Sequence, residues 1–131
     1  MVEVICDTNF LIHLATRKIK NIDTMNTEIG QIQFVVPAVV WNELVALLSI
    51  SIESRTRKIN LKKQDAWKAI NYAEKFKIIP MSGTYADKEI TEHVKKHGGI
   101  VGTMDKELKS KIKGAGGSIM SFSNDKIVLE S

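Results

Sequence analysis

The apolar positions of this chain alternate between short unbroken runs and a three-to-four-residue rhythm, the pattern of buried strands interleaved with amphipathic helices. The first run is Val2-Glu3-Val4-Ile5-Cys6, mostly apolar and β-branched. Asp7-Thr8-Asn9 interrupts it with cap-forming residues. Phe10, Leu11, Leu14 and Ala15 then recur at helical spacing up to Arg17-Lys18. A second amphipathic helix covers Ile19 to Ile29 and stops at Gly30. Gln33-Phe34-Val35-Val36 reads as the second strand, with Pro37 opening a helix, where its missing N–H is no loss. Along that helix Val40, Trp41, Leu44, Leu47 and Leu48 form an apolar stripe, with Glu43 set among them.

Ser54 to Asn60 reads as a polar, basic connection, and Leu61 to Phe76 as a helix with Ala66, Trp67, Ile70 and Ala73 on one face. Ile78-Ile79-Pro80 is a very short third strand. Thr84 to His97 forms a helix ended by Gly98-Gly99, a usual glycine stop. Ile100 to Thr103 is the fourth strand and Asp105 to Lys113 a basic helix. Gly114-Ala115-Gly116-Gly117 turns the chain into a fifth strand, Ser118 to Phe122, and Ile127-Val128-Leu129 adds a terminal one. Short strands alternating with helices predict βαβ units, so the expected fold class is α/β: a three-layer α/β/α sandwich with a mainly parallel central sheet.

Composition narrows the setting. A length of 131 residues predicts one domain, 1–131, able to bury a core without disulfides. An apolar fraction of 44% and a charged fraction of 26% are ordinary for a globular protein. No apolar run reaches the roughly 18 residues of a membrane span, and the acids at Glu3 and Asp7 argue against a signal peptide. The expectation is a cytoplasmic protein with no membrane partner. Cys6, alone in the chain, reads as a buried structural thiol. The net charge of +4 and pI near 9.2 favour a polyanionic partner such as nucleic acid.

Against that basic background four acids stand out. Asp7 directly follows the first strand and Asp105 follows the fourth by one residue, where open parallel sheets place their ligands. Glu43 lies within an apolar helix, and Asp87 in the first turn of the helix after Thr84. Gathered in one cleft, such carboxylates would raise one another's pKa or take up a cation, and Mg²⁺ or Mn²⁺ suits an all-oxygen donor set. Each acid also has an ordinary role: Asp7 and Asp105 as helix N-terminal groups, Asp87 as a first-turn acid. Spacing alone leaves both readings open.

Four motifs carry a resemblance. Val4-Ile5-Cys6-Asp7-Thr8-Asn9 resembles the opening hydrophobic-Asp-Thr/Ser-Asn/Ser motif of PIN domains. Val36-Pro37-Ala38-Val39-Val40-Trp41-Asn42-Glu43-Leu44 is similar to their second motif, and Ala86-Asp87-Lys88-Glu89-Ile90 to their third. Ile100 through Lys109 resembles their fourth. All four occur in the family order over nearly the whole chain. The resemblance implies Asp7, Glu43, Asp87 and Asp105 as catalytic, metal-binding acids, with Thr8, Asn9 and Thr103 as polar support. It implies an endoribonuclease using Mg²⁺ or Mn²⁺, with RNA as substrate; the stripe Val40, Leu44, Leu47 and Leu48 reads as core or, in its exposed part, as a homodimer surface like that of PIN relatives. The archaeal branch is the nearest in pattern, and it holds VapC-type toxins with antitoxin partners as well as relatives of rRNA-processing nucleases. Both stay open. Two positions depart from the pattern: Lys88 where a second Asp is frequent, and Met104 where Asn is usual. Neither removes a principal acid, and Lys88 is placed where it could pair with the cluster and weaken metal binding.

Lys106, Lys109, Lys111 and Lys113, with Arg55, Arg57, Lys58, Lys62 and Lys63, either flank the cleft to neutralise phosphates or form a solvated face. His93 and His97 have zinc-pair spacing but lack the zincin pattern and further ligands, so surface histidines are expected. A strand ending in Asp also opens haloacid-dehalogenase phosphatases and receiver domains, but Asp7-Thr8-Asn9 lacks the Asp-x-Asp of the former and the chain lacks the extra acids of the latter. The rival from another class is a non-catalytic PIN module that binds RNA or a protein partner in ribosome assembly.

Overall fold

Val4, Ile5 and Cys6 are all buried, so the first strand shows no inside–outside alternation and must be covered on both faces. The computed structural model, which describes residues 2–48, 57–81 and 83–130, accounts for this. Strand β1 (Val2–Cys6) lies inside a six-stranded sheet between β2 (Ile32–Pro37) and β4 (Ile100–Gly102). The sheet order is β3-β2-β1-β4-β5-β6, where β3 is Lys77–Ile79, β5 Ser118–Ser123 and β6 Lys126–Glu130. All pairs are parallel except β5 with β6. The α/β class, the mainly parallel sheet and its flanking helices are as the periodicity predicts.

The helices are α1 (Thr8–Thr16), α2 (Ile22–Ile29), α3 (Ala38–Leu48), α4 (Arg57–Tyr72), α5 (Ala86–His97) and α6 (Lys106–Gly114). Helices α1, α3 and α4 pack on one another, and α5 packs against α6. Phe10, Leu11, Val40, Leu44, Ile90, Leu108 and Ile112 are fully buried and cover the strands from these helices. Gly98 ends α5 with φ 68°, a left-handed conformation that side chains other than glycine adopt at a cost.

Several boundaries differ from expectation. Pro37 is the last residue of β2, paired with Ile79, and α3 starts after it. Helix α4 begins at Arg57, within the stretch read as a basic connection; residues 54–56 of that stretch lie outside the described residues. Among its described side chains Ala66 and Ala69 are buried, as is Ala73 just past its end, whereas Trp67 is 57% exposed. Alanines let α4 approach α1 and α3 closely, and the larger indole is turned out. The terminal strand β6 runs antiparallel because Asn124 and Asp125, with φ of 52° and 60°, close a tight hairpin. Such turns need φ > 0 at both central positions, which Asn and Asp tolerate better than most residues.

The strand order sets up the site. From β1 the chain steps outward through β2 to β3, then returns through α5 to β4 on the other side of β1. The connections leaving β1 and β4 therefore diverge, and such a switch point opens a crevice at the carboxyl ends of the strands.

Candidate active site

Asp7 stands at that crevice as the last residue before α1. Its backbone is extended, which makes it the N-cap, and its Oδ1 accepts a 2.7 Å bond from the Thr8 N–H. Its Oδ2 accepts a 2.9 Å bond from the Thr103 hydroxyl, across from β4. Only 7% of Asp7 is exposed. Burial, the largest influence, raises its pKa above the usual carboxylate value; Thr103 and Thr8 pull it back, and Asp87 and Glu43 push it further up.

Thr103 ties the centre together. Fully buried, it bonds to Asp7 through its hydroxyl and accepts a 3.1 Å bond from the Asp105 N–H on the same oxygen. Its own N–H donates to the Met120 carbonyl of β5. Asp105 caps α6, its Oδ1 accepting from the Glu107 and Leu108 N–H groups at 2.8 and 3.1 Å. The other oxygen of Asp105 takes no hydrogen bond among the described residues. On the opposite side the Thr8 hydroxyl donates to Glu43 Oε2 at 2.6 Å, holding the half-buried Glu43 of α3 toward Asp7. Asp87 lies in the first turn of α5, and its pKa is also raised, first by burial and then by Asp105, while Lys111 opposes the rise.

The four acids converge. Asp7, Glu43, Asp87 and Asp105 line one cavity of about 370 Å³ together with Thr8, Asn9, Tyr85 and Ala86. Three helices start at its wall, α1 after Asp7, α5 after Tyr85 and α6 after Asp105. The N–H groups at the starts of α1 and α6 bond Asp7 and Asp105, and the positive dipole ends partly offset the carboxylate charge. The ordinary capping role and membership of the acid cluster thus coexist in Asp7 and Asp105.

The donor chemistry suits a hard divalent cation: oxygens only, in a shared cavity, with the Asp7 and Asp87 carboxyls raised first by burial and then by neighbouring acids. Spacing is looser than that chemistry. Among the described residues no group of three His, Cys, Asp or Glu side chains is arranged to hold one ion. Glu43 is instead drawn onto Thr8, and Asp7 onto Thr103.

Other expected positions fall elsewhere. Lys88 is exposed and lines a neighbouring cavity with Tyr85, Asp87, Thr91, Glu92 and Lys111, with no ion pair to the acids among the described residues. Met104 lines a third cavity with Asn9, Arg17 and Asp105. Of the basic helix only Lys111 lies by the acids; Lys109 pairs with Glu130 at 3.3 Å. The side chains of Arg55, Arg57, Lys58 and Lys62 lie outside the described residues. Cys6 is buried, and burial pushes its thiol pKa well up, so it is no nucleophile. His93 and His97 lie 4.7 Å apart by ring centres, and both form part of the lining of a shallow surface cavity. Tyr85 went unnoticed in the sequence, although it directly precedes the Ala86-Asp87 motif.

Comparison with known proteins places this geometry. Residues 4–124 match the family model described as a PIN-like domain. The solved structure of the PIN domain endonuclease Utp24 is similar over 98% of this chain and 90% of its own, with 30% identity and a TM-score of 0.75. A domain of a functionally unknown protein from Methanocaldococcus jannaschii shares the fold at 18% identity, covering 94% of this chain and 92% of its own, with a TM-score of 0.53. No match was found among curated protein sequences.

Proposed function

Since this chain belongs to the PIN-like domain family and has the fold of a PIN domain endonuclease, we propose that it is a metal-dependent endoribonuclease. The observation that carries the reading is the convergence of Asp7, Glu43, Asp87 and Asp105 on one cavity at the switch point. Those four acids would hold Mg²⁺ or Mn²⁺. A cation held by them would supply charge neutralisation at the phosphodiester and activation of the attacking water.

The protein's own groups have three tasks. Thr103 and Thr8 orient the Asp7 and Glu43 carboxylates through short hydrogen bonds, so that little ordering is left for the moment of reaction. The starts of α1, α5 and α6 present backbone N–H groups and positive dipole ends, which favour an anionic phosphate beside carboxylates that would otherwise repel it. Asn9, exposed at the start of α1, offers a donor at the rim. Asp7 is the central acid because it is the most buried and is held on both oxygens.

A second reading keeps the fold without the chemistry: a PIN module that binds RNA or a ribosome-assembly partner. The loose spacing of the acids and the Lys88 and Met104 departures favour it. Cleavage of an end-labelled RNA panel with Mn²⁺ or Mg²⁺ separates the two, beside EDTA and Asp7→Asn controls. Cleavage abolished by EDTA and reduced at least about 100-fold by Asp7→Asn is the expected result, as for loss of a group acting only in the transition state. Protein that neither binds metal nor cuts sinks the nuclease reading. The fragment pattern on tRNA and rRNA then addresses whether the role is that of an antitoxin-controlled toxin or of rRNA processing.

A further inference from the structure

The acid cavity does not stand alone. A cavity of about 420 Å³ shares Asn9 and Asp105 with it and extends along α1 to Arg17. Another of about 410 Å³ shares Tyr85 and Asp87 and extends to Lys88 and Lys111. Through these shared residues the three adjoin as one groove, with the acid cluster at its centre, Arg17 and Asp65 at one end, and Lys88, Lys111 and Glu92 at the other. Arg17 is exposed and makes no ion pair among the described residues, and the same is true of Lys88. Lys111 is held at 3.5 Å by Glu107.

Tyr85 stands at the join between the acid cavity and the Lys88 end. It is 73% exposed, the highest of any large apolar side chain described, and its ring packs on no other aromatic ring among the described residues. Single exposed aromatics are common on protein surfaces. This one differs in lining two cavities and in preceding the helix that carries Asp87. An exposed aromatic ring beside the acid cavity, with Arg17, Lys88 and Lys111 along the same groove, is an arrangement that can hold an unpaired base.

We propose that this groove seats one unpaired RNA strand across the acid centre, with Tyr85 stacking a base on the Asp87 side and Arg17 taking a backbone phosphate on the Asn9 side. The proposal rests on the ribonuclease reading for the identity of the strand. Tyr85 and Arg17 act as positioning residues, because neither touches the bond to be cut. A duplex fits poorly, since its bases are already stacked and paired.

The test is the affinity of a labelled twelve-nucleotide single-stranded RNA, measured by fluorescence anisotropy with Mg²⁺ in an Asp7→Asn background that prevents cutting. Tyr85→Ala is expected to weaken binding about tenfold, the effect of removing one base–aromatic stack. Tyr85→Phe keeps the ring and restores affinity, while Trp67→Ala, an exposed aromatic outside the groove, leaves it unchanged. Arg17→Ala is expected to weaken binding for all sequences alike and to reduce the salt slope by about one. Equal effects of Tyr85→Ala and Trp67→Ala, or tighter binding of the same sequence as a duplex, overturn the proposal. Its fate is separable from that of the enzyme: Tyr85-dependent binding with no cleavage by the Mn²⁺-loaded wild type keeps the groove and removes the nuclease. Cleavage that Tyr85→Ala leaves untouched in KM and kcat does the reverse.

Discussion

At the scale of single residues, Asp105 separates structure from chemistry more cleanly than any other acid of the site. One oxygen caps α6 through the Glu107 and Leu108 N–H groups, and the other is left for the cavity. Asn caps a helix about as well as Asp, whereas Ala leaves those N–H groups without a partner and costs about 1 kcal/mol. Asp105→Asn is therefore expected to keep the melting temperature and lose metal-dependent cleavage, while Asp105→Ala loses both. Thermal melts beside the cleavage assay check this. Full activity in Asp105→Asn would remove Asp105 from the reacting centre and leave it only a cap. Thr103 has no such division of labour: its single oxygen serves both Asp7 and Asp105.

At the scale of elements, the site depends on how closely β1 and β4 can lie beneath α1. The Asp7 N–H donates to the Gly102 carbonyl at 2.9 Å, which continues the pairing of Cys6 with Gly102 into the site. Phe10 of α1 packs over Gly102, so a Cβ placed there would come within 2.5 Å of the ring. The ring has little room to retreat, being fully buried and stacked on Phe122 at 4.7 Å. Gly102→Ala is expected to destabilise the protein by about 1–3 kcal/mol, the usual cost of overpacking a well-filled core. Chemical denaturation measures it, and an unchanged midpoint would refute the claim that Phe10 fixes the entry of α1. Elsewhere, Asn21 holds β6 at the sheet edge by bonding both the N–H and the carbonyl of Ile127, at 2.7 and 3.0 Å.

At the scale of the whole molecule, a basic protein of net charge +4 concentrates carboxylates in one crevice. The pKa values of Asp7 and Asp87 are raised in the folded protein, so the folded state binds their protons more tightly than the unfolded chain does. Stability from these groups is thus fully present below the ordinary carboxylate pKa of about 4 and is lost as pH rises through the raised values. The metal-free protein is expected to lose melting temperature across that window relative to Asp7→Asn. Mg²⁺ or Mn²⁺ at neutral pH restores it, because a ligand of the folded state alone stabilises that state. Differential scanning fluorimetry against pH, with EDTA or metal, reads both effects. Parallel wild-type and Asp7→Asn curves would show that the Asp7 charge is not in tension with the fold.

The amino-acid sequence by itself determined which segments are strands and which are helices, and it set acids just past the ends of the first and fourth strands. Those are local properties: burial rhythm, β-branching, caps and glycine stops act over a few residues. Its four motifs, taken together, also pointed to the family. What it left open needed pairing between distant parts. Thr103 reaches Asp7 across 96 positions, and only the strand order that puts β4 beside β1 makes that bond. The buried side of α4 was misjudged at Trp67 because periodicity marks an apolar stripe without saying which residues the neighbouring helices have room for. Likewise Tyr85 and Arg17 carry no local signal. Their place on adjoining cavities was decided by the tertiary structure, which brings the starts of α1, α5 and α6 to the same crevice because the strand order switches to the other side of β1.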